Sequence, residues 1–290
     1  MNFVYKIIVL ITIGGLAFAA PLSGDSLSAD SSQNENILTE RPELLRPIAP
    51  VEKQIVPWRV GAYCGLATGI FGFAYSRMDD WWGDAHVPFH IKHDDWSGDN
   101  LAQTDEVSHC LVSYKIAQVA TDLAKWSGFR DGTSRIIGGC LAGGIITFVE
   151  YPVDAHNPYQ GFGYTDMIAN AIGIGLALSR DRWPEYLERV DLRISIKSTD
   201  GISNEIIAKN MAQNDNYTYW LVVNPVEDFP VHAALGYSAN HDSPDHIVDR
   251  EIYLGFGTSI AELAGLIDKD WKRKLDLFNV YELSFSFRVD

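Results

Sequence analysis

YTDMIANAIGIGLALSRDRWPEYLERVDLRISIK, residues 164–197, contains the change of hydrophobic period that decides the fold. From Thr165 to Arg182 the apolar residues recur at helical spacing, and Pro184 stops the pattern. From Val190 onward the period is two: Leu192, Ile194 and Ile196 alternate with Arg193, Ser195 and Lys197. The chain therefore divides into a helical part before this stretch and a sheet after it.

Upstream, the same helical period predicts three more helices. They run from Trp58 to Ser76, from Asn100 to Trp126 (ended by Gly128), and from Thr133 to Glu150 (stopped by Pro152). Small residues recur four apart on these segments: Gly61, Gly65 and Gly69, then Gly139 and Gly143, then Gly173 and Ala177. Such stripes let helix backbones approach closely, in membranes and in tight soluble bundles alike. No run reaches the usual apolar span of about twenty residues. Val60 to Ser76, free of charge, comes nearest, and Arg59 and Lys115 are expected to snorkel.

Downstream, alternation continues through Tyr219, Leu221 and Val223, then Ala233, Leu235 and Tyr237, then Ile252, Leu254 and Phe256. Leu283, Phe285, Phe287 and Val289 close the chain on one face of a last strand. The pattern predicts an antiparallel sheet with one buried face, packed on the helices. Ile260 to Leu275, with Leu263, Ile267 and Trp271 on one stripe, reads as one extra amphipathic helix. About five strands are too few for a membrane barrel, which begins at about eight. The fold class is α+β: a glycine-rich four-helix bundle followed by a mainly antiparallel β-sheet of about five strands.

The ends and composition bound the setting. Lys6, the apolar run Ile7 to Leu16 and Ala17-Phe18-Ala19 read as a signal peptide over residues 1–19. Residues 20–53, rich in Ser, Asp, Asn, Glu and Pro, read as a disordered leader. The helical region then covers 54–186 and the β-rich region 187–290. A net charge of −15 without a concentrated basic surface excludes nucleic acid as a partner. Cys64, Cys110 and Cys140 read as small buried hydrophobes, with one interhelical disulfide as the alternative. No cysteine stands at the cleavage point. The expectation is an exported protein of the periplasm, or associated with the outer membrane, that is not a lipoprotein.

Chemistry concentrates in a few polar residues within apolar runs. Asp105 and His109 stand four apart, as do Asp166 and Asn170, and Glu150 closes the third helix. Packed helices would bring one imidazole, three carboxylates and an amide together. Buried groups of this kind must pair with one another or serve a site. A carboxylate beside an imidazole suits acid–base work or metal ligation. His90, His109, Glu150 and Asp166 are the candidate ligands for a divalent metal such as zinc. A second crowd, His86, His90, His93, Asp94 and Asp95, and the pair Asp154 and His156, read as solvated loops or further ligands. Trp81, Trp82 and Trp96 flank the first of these loops and suit either a membrane interface or a core.

FHIKHDDW, TDEVSHCLVSY, FVEYPVD and GFGYTDMIANAIG together resemble the YfiM-like family of periplasmic lipoproteins, over roughly Trp58 to Lys197. The resemblance singles out Phe89, His90, Trp96, Asp105, His109, Glu150, Asp166, Asn170 and Gly173, and it implies an envelope location without an activity. The order Asp…His, Glu, Asp-x-x-x-Asn-x-x-Gly is also similar to VanZ-like membrane proteins. The basic residue usual after the first Asp is Glu106 here, and the lipoprotein cysteine is missing.

Two functions follow. One is a non-catalytic, membrane-associated envelope protein in which the polar network fixes the helices, its partner a membrane surface or envelope component. The other is an envelope hydrolase or metal- or ligand-binding protein, acting through Asp105, His109, Glu150 and Asp166 on a lipid or cell-wall component. No oligomeric state can be read from the sequence.

Overall fold

The structure is a computed structural model, described for residues 54–76, 86–93, 96, 102–158, 160–197, 215–226, 229–240, 248–268, 271–272, 275–276 and 279–289. The expected signal peptide and the whole of the leader, with Trp81, Trp82, Asp94 and Asp95, lie outside these residues.

Helix α1 spans Pro57–Ser76, α2 Thr104–Trp126, α3 Asp131–Phe148 and α4 Tyr164–Arg182, and a short α5 covers Pro184–Leu187. Five strands follow: β1 Val190–Ile196, β2 Tyr217–Val223, β3 His232–Asn240, β4 Asp249–Thr258 and β5 Leu283–Arg288. A short helix α6, Ile260–Gly265, precedes β5. The fold is α+β with a five-stranded antiparallel sheet in simple sequence order.

Helix α2 is the axis of the helical layer, and α3 and α4 close on it where glycine removes a side chain. A Cβ on Gly173 of α4 would stand 2.1 Å from the Cys110 carbonyl oxygen, and one on Gly138 of α3 would stand 2.0 Å from Thr121 Oγ1. The stripe Gly61, Gly65 and Gly69 behaves otherwise: a Cβ at any of the three meets nothing within 4 Å. Helix α1 instead leans on α2 through Tyr63 and Leu66, packed with Leu123 and Ala124. The close bundle is thus three helices with a fourth beside it, because the α1 glycines face no neighbour.

Pro152 does not stop the third helix. The backbone relaxes into a π-helical turn, Val149–Val153, and then a 3-10 turn, Asp154–His156. A proline lacks the N–H that the α ladder needs, and a wider turn accommodates that loss. The resulting run Asp131–His156 is long and apolar enough to cross a membrane by length and composition, longer than the sequence period implied. Its Ser134, Gly138, Ala142 and Ile146 are buried in the fold.

The sheet corrects the expected polarity. It curls until the run before β5 lies beside β1: Ile194 N donates to Val280 O at 2.9 Å, and Glu282 N donates to Ile194 O at 2.9 Å. The face turned inward by that closure carries Asp191, Arg193, Thr218, Trp220, His232, Ser238 and Glu251, all buried. The apolar face turns outward. Helix α2 lies against part of it, chiefly where Ile194, Tyr217 and Tyr219 join Leu111, Tyr114 and Ala142 in the main core. Leu235, Leu254, Phe256, Leu283, Phe285, Phe287 and Val289 are exposed.

Charge pairing makes the buried polar face tolerable. Arg193 donates to Asp191 at 3.0 Å and to Glu282 at 3.1 Å. His232 faces Glu262 at 2.9 Å through Nδ1 and Glu282 at 2.6 Å through Nε2; burial works against its charged form, but the bonds to the two carboxylates outweigh it and raise its pKa. Lys115, expected to snorkel, is 2% exposed and donates to Asp191 at 3.0 Å and to the Asn279 carbonyl at 3.1 Å. Lys115, Arg193 and His232 stand against Asp191, Glu262 and Glu282, and Lys197 and Arg288 stand against Glu251, so each buried carboxylate there faces a cation.

Two further expectations change. The helix after β4 stops at Gly265, leaving Leu263, Ile267 and Trp271 exposed rather than forming a buried stripe. Cys64 and Cys140 are exposed and Cys110 is half-buried, and all three are free thiols, because they stand on helix faces that the core does not use.

Candidate functional site

Four pieces of chain build the site. Helix α2 presents Asp105 and His109 one turn apart, and α4 presents Asp166 and Asn170 in the same way. Glu150 hangs from the π-helical turn. Lys92 arrives on the segment 86–93, which is laced to the loop before α4: Lys92 N donates to Phe162 O at 3.0 Å, and Phe162 N donates to His90 O at 2.9 Å. Gly161, at φ +99°, makes this approach possible, since a Cβ there would stand 2.7 Å from Lys92 N.

The ammonium of Lys92 sits between two carboxylates, 2.6 Å from Asp105 Oδ2 and 3.0 Å from Asp166 Oδ2. His109 Nε2 is 3.6 Å from Asp105 Oδ1, and its Nδ1 is 3.4 Å from Glu150 Oε1 and 3.2 Å from Asn170 Nδ2. Glu150, Asp166 and Asn170 are almost fully buried, at 1%, 3% and 2% exposure. Asp166 Oδ1 and Asn170 Oδ1 have no hydrogen-bond partner. A fourth carboxylate, Glu106, lies buried alongside and accepts from Thr165 Oγ1 at 3.1 Å.

The electrostatics follow from burial set against this crowding. Burial alone would lower the His109 pKa, but Asp166, Asp105 and Glu150 outweigh it and raise it to about 9. Burial pushes Glu150 up to about 7, against the pull of His109. Asp105 lies below its ordinary value: burial works against ionisation, and Lys92 and His109 overcome it. Asp166 lies above, from burial and then the neighbouring Asp105. Burial also raises Glu106.

The five sequence candidates Asp105, His109, Glu150, Asp166 and Asn170 therefore meet in space. Asp105, His109 and Asp166 each offer a ligand atom within 4.8 Å of the others. His90 is not in this group: its Nδ1 lies 3.4 Å from the Pro88 carbonyl, and its ring lies over Gly161. His156 faces the Val87 carbonyl at 3.0 Å and stacks edge-on to Phe89 and Tyr151. His86 is exposed, and Phe89 and Trp96 are 49% and 59% exposed. Sequence reasoning passed over Lys92. The available signal was its charge, a single lysine inside HVPFHIKHDDW beside four carboxylates awaiting a cation.

The start of α2 is held unusually. Ala102 and Gln103 adopt positive φ, 46° and 59°, without being glycine. Arg250 Nε donates to Gln103 Oε1 at 2.8 Å, and the Tyr237 hydroxyl donates to the Ala102 carbonyl. The sheet thereby fixes the turn from which Asp105 and His109 project.

No curated protein and no solved structure matches the chain. Residues 94–181, less than half of it, match the model of a family described as "Predicted periplasmic lipoprotein (DUF2279)". That description fits an exported envelope protein from an uncharacterised periplasmic family; it carries neither the YfiM-like name nor the VanZ likeness. It also overturns one expectation, that the protein is not a lipoprotein, since the matched family is described as one. The matched stretch contains Asp105, His109, Glu150, Asp166 and Asn170, while Lys92 lies just before it.

Proposed function

We propose that this is an envelope protein that rests against a lipid surface through the outer face of its sheet, with the helical cluster acting as a non-catalytic brace. One observation carries the reading: unbroken cross-strand rows of exposed apolar residues. Leu221, Leu235, Leu254 and Phe287 form one row, and Val223, Ala233, Phe256 and Phe285 the next. A soluble monomer rarely exposes a contiguous apolar patch above a few hundred Å². Here the pleat turns charge inward and apolar side chains outward, the polarity that lipid favours. The family description supports a position at a membrane.

In the brace, Lys92 ties the segment 86–93 to α2 and α4 at once, by its bonds to Asp105 and Asp166. The test is flotation of the purified protein with vesicles of neutral and anionic phospholipid. Wild type floats with both, and the triple variant Leu254→Ser, Phe256→Ser, Phe285→Ser stays in the dense fraction with an unchanged circular dichroism spectrum. Equal flotation of the two proteins would refute the reading.

A second reading, in which the cluster binds a metal or ligand or performs acid–base chemistry, is favoured by one specific observation: the convergence of Asp105, His109 and Asp166.

A further inference from the structure

The position of Lys92 has the geometry of a cation site. Its ammonium stands within 3.0 Å of both Asp105 and Asp166, and the nearest imidazole nitrogen, His109 Nε2, lies 3.6 Å from Asp105 Oδ1. Ligands about 2.0 Å from a tetrahedral zinc lie roughly 3.3 Å apart, so the three ligand atoms, now within 4.8 Å of one another, must draw together by up to about 1.5 Å to close on a metal. The other ring nitrogen, Nδ1, faces Glu150 Oε1 at 3.4 Å. Asn170 Nδ2 stands nearer the same nitrogen, at 3.2 Å, and neither Glu150 oxygen has a hydrogen-bond partner, so Nε2 becomes free to ligate when Nδ1–H turns to Glu150, the usual outer support of a metal-bound histidine.

Beyond the crowding itself, buried oxygens of the cluster point to an unmet ligand: both of Glu150, one of Asp166 and, outside the carboxylates, one of Asn170. Asp166 Oδ1 and Asn170 Oδ1 lack partners although their residues are 3% and 2% exposed. Leaving such groups unpaired costs about 1–3 kcal/mol each. Four carboxyl groups, those of Asp105, Glu106, Glu150 and Asp166, surround one lysine and one histidine.

We propose that Asp105, His109 and Asp166 form a site for a divalent transition cation, zinc or manganese, with Glu150 orienting His109 and the Lys92 ammonium holding the cation's place in its absence. The single nitrogen ligand disfavours calcium and magnesium, which take all-oxygen sets. Lys92 is then an internal competitor: metal enters as the lysine withdraws on its segment. This goes beyond the lipid reading and does not depend on it.

The test titrates zinc and manganese into the purified full chain, following metal stoichiometry and melting temperature. Lys92→Met binds one zinc per chain at least about tenfold more tightly than wild type, because its competitor is gone. His109→Gln in the Lys92→Met background loses that binding, which separates this site from adventitious zinc on the exposed histidines. Where Lys92→Met fails to fold, wild type decides: millimolar zinc or manganese raises its melting temperature, and Asp166→Asn abolishes the rise. Equal affinity of wild type and a folded Lys92→Met, or binding that survives His109→Gln, overturns the proposal. So does a melting temperature of wild type that millimolar metal leaves unchanged.

Discussion

Substituting Gly173 by alanine tests whether close approach of α2 and α4 holds the cluster together. Two effects oppose each other. In an exposed helix, glycine to alanine stabilises by about 1 kcal/mol through propensity and chain entropy. At position 173 the new Cβ would stand 2.1 Å from the Cys110 carbonyl oxygen and 2.3 Å from Ser113 Oγ, where contacts below 3.0 Å essentially never occur. The obstacle is backbone, so the helices must separate by about 0.9 Å or more to relieve it. Overpacking of this kind costs about 1–3 kcal/mol, and more where backbone meets backbone. The expected net loss is about 2 kcal/mol, a fall of roughly 4–8 °C in melting temperature for a chain of this size. Gly65→Ala is the internal control: nothing lies within 4 Å of its Cβ, so only the favourable effect remains and the melting temperature rises by a few degrees. Both variants are read by calorimetry on the same preparation. If Gly173→Ala melts at or above wild type, the helices are not in close contact and the geometry of the cluster is not set by this crossing.

Asp191 limits stability on the acid side. Burial pushes its carboxyl up, but Lys115, Arg180 and Arg193 outweigh that and hold it well below the usual carboxylate range. A folded-state pKa below the unfolded one gives stability that is present above about pH 4 and lost as pH falls below it. Denaturant titrations from pH 7 to pH 2 therefore show an acid-limb loss that is smaller in Asp191→Asn, a variant about 3–5 kcal/mol less stable at neutral pH because Lys115 and Arg193 lose their partner. Asp105→Asn leaves Lys92 with one ionised carboxylate, and its unfolding free energy by urea is expected to fall by about 1–3 kcal/mol. A Cm equal to that of wild type would remove Asp105 from the brace.

The local periods were legible in the chain. The helical spacing of 164–182 and the alternation from Val190 correspond to α4 and β1, and the pairs Asp105 with His109 and Asp166 with Asn170 lie on single faces, as their spacing of four requires. The harder points were set by neighbours. The Gly61, Gly65 and Gly69 stripe looks the same in sequence as Gly173, yet only Gly173 meets a partner backbone. Pro152 reads as a stop, and only the π-helical turn carries Glu150 on to His109.

By itself the sequence determined which segments are helix or strand and which polar residues face one another along a helix, because both depend on spacings of two to four residues. Tertiary structure alone decided which face of the sheet is inside and which cation completes the cluster. Alternation marks two faces but cannot tell inside from outside, and that is settled by the pairing of Ile194 with Val280 and Glu282, 86 and 88 residues away along the chain. Lys92 likewise reaches Asp166, 74 residues distant, only after 86–93 has paired with the loop around Gly161. Contacts over such distances are chosen by closure and packing of the whole fold, which no local pattern records.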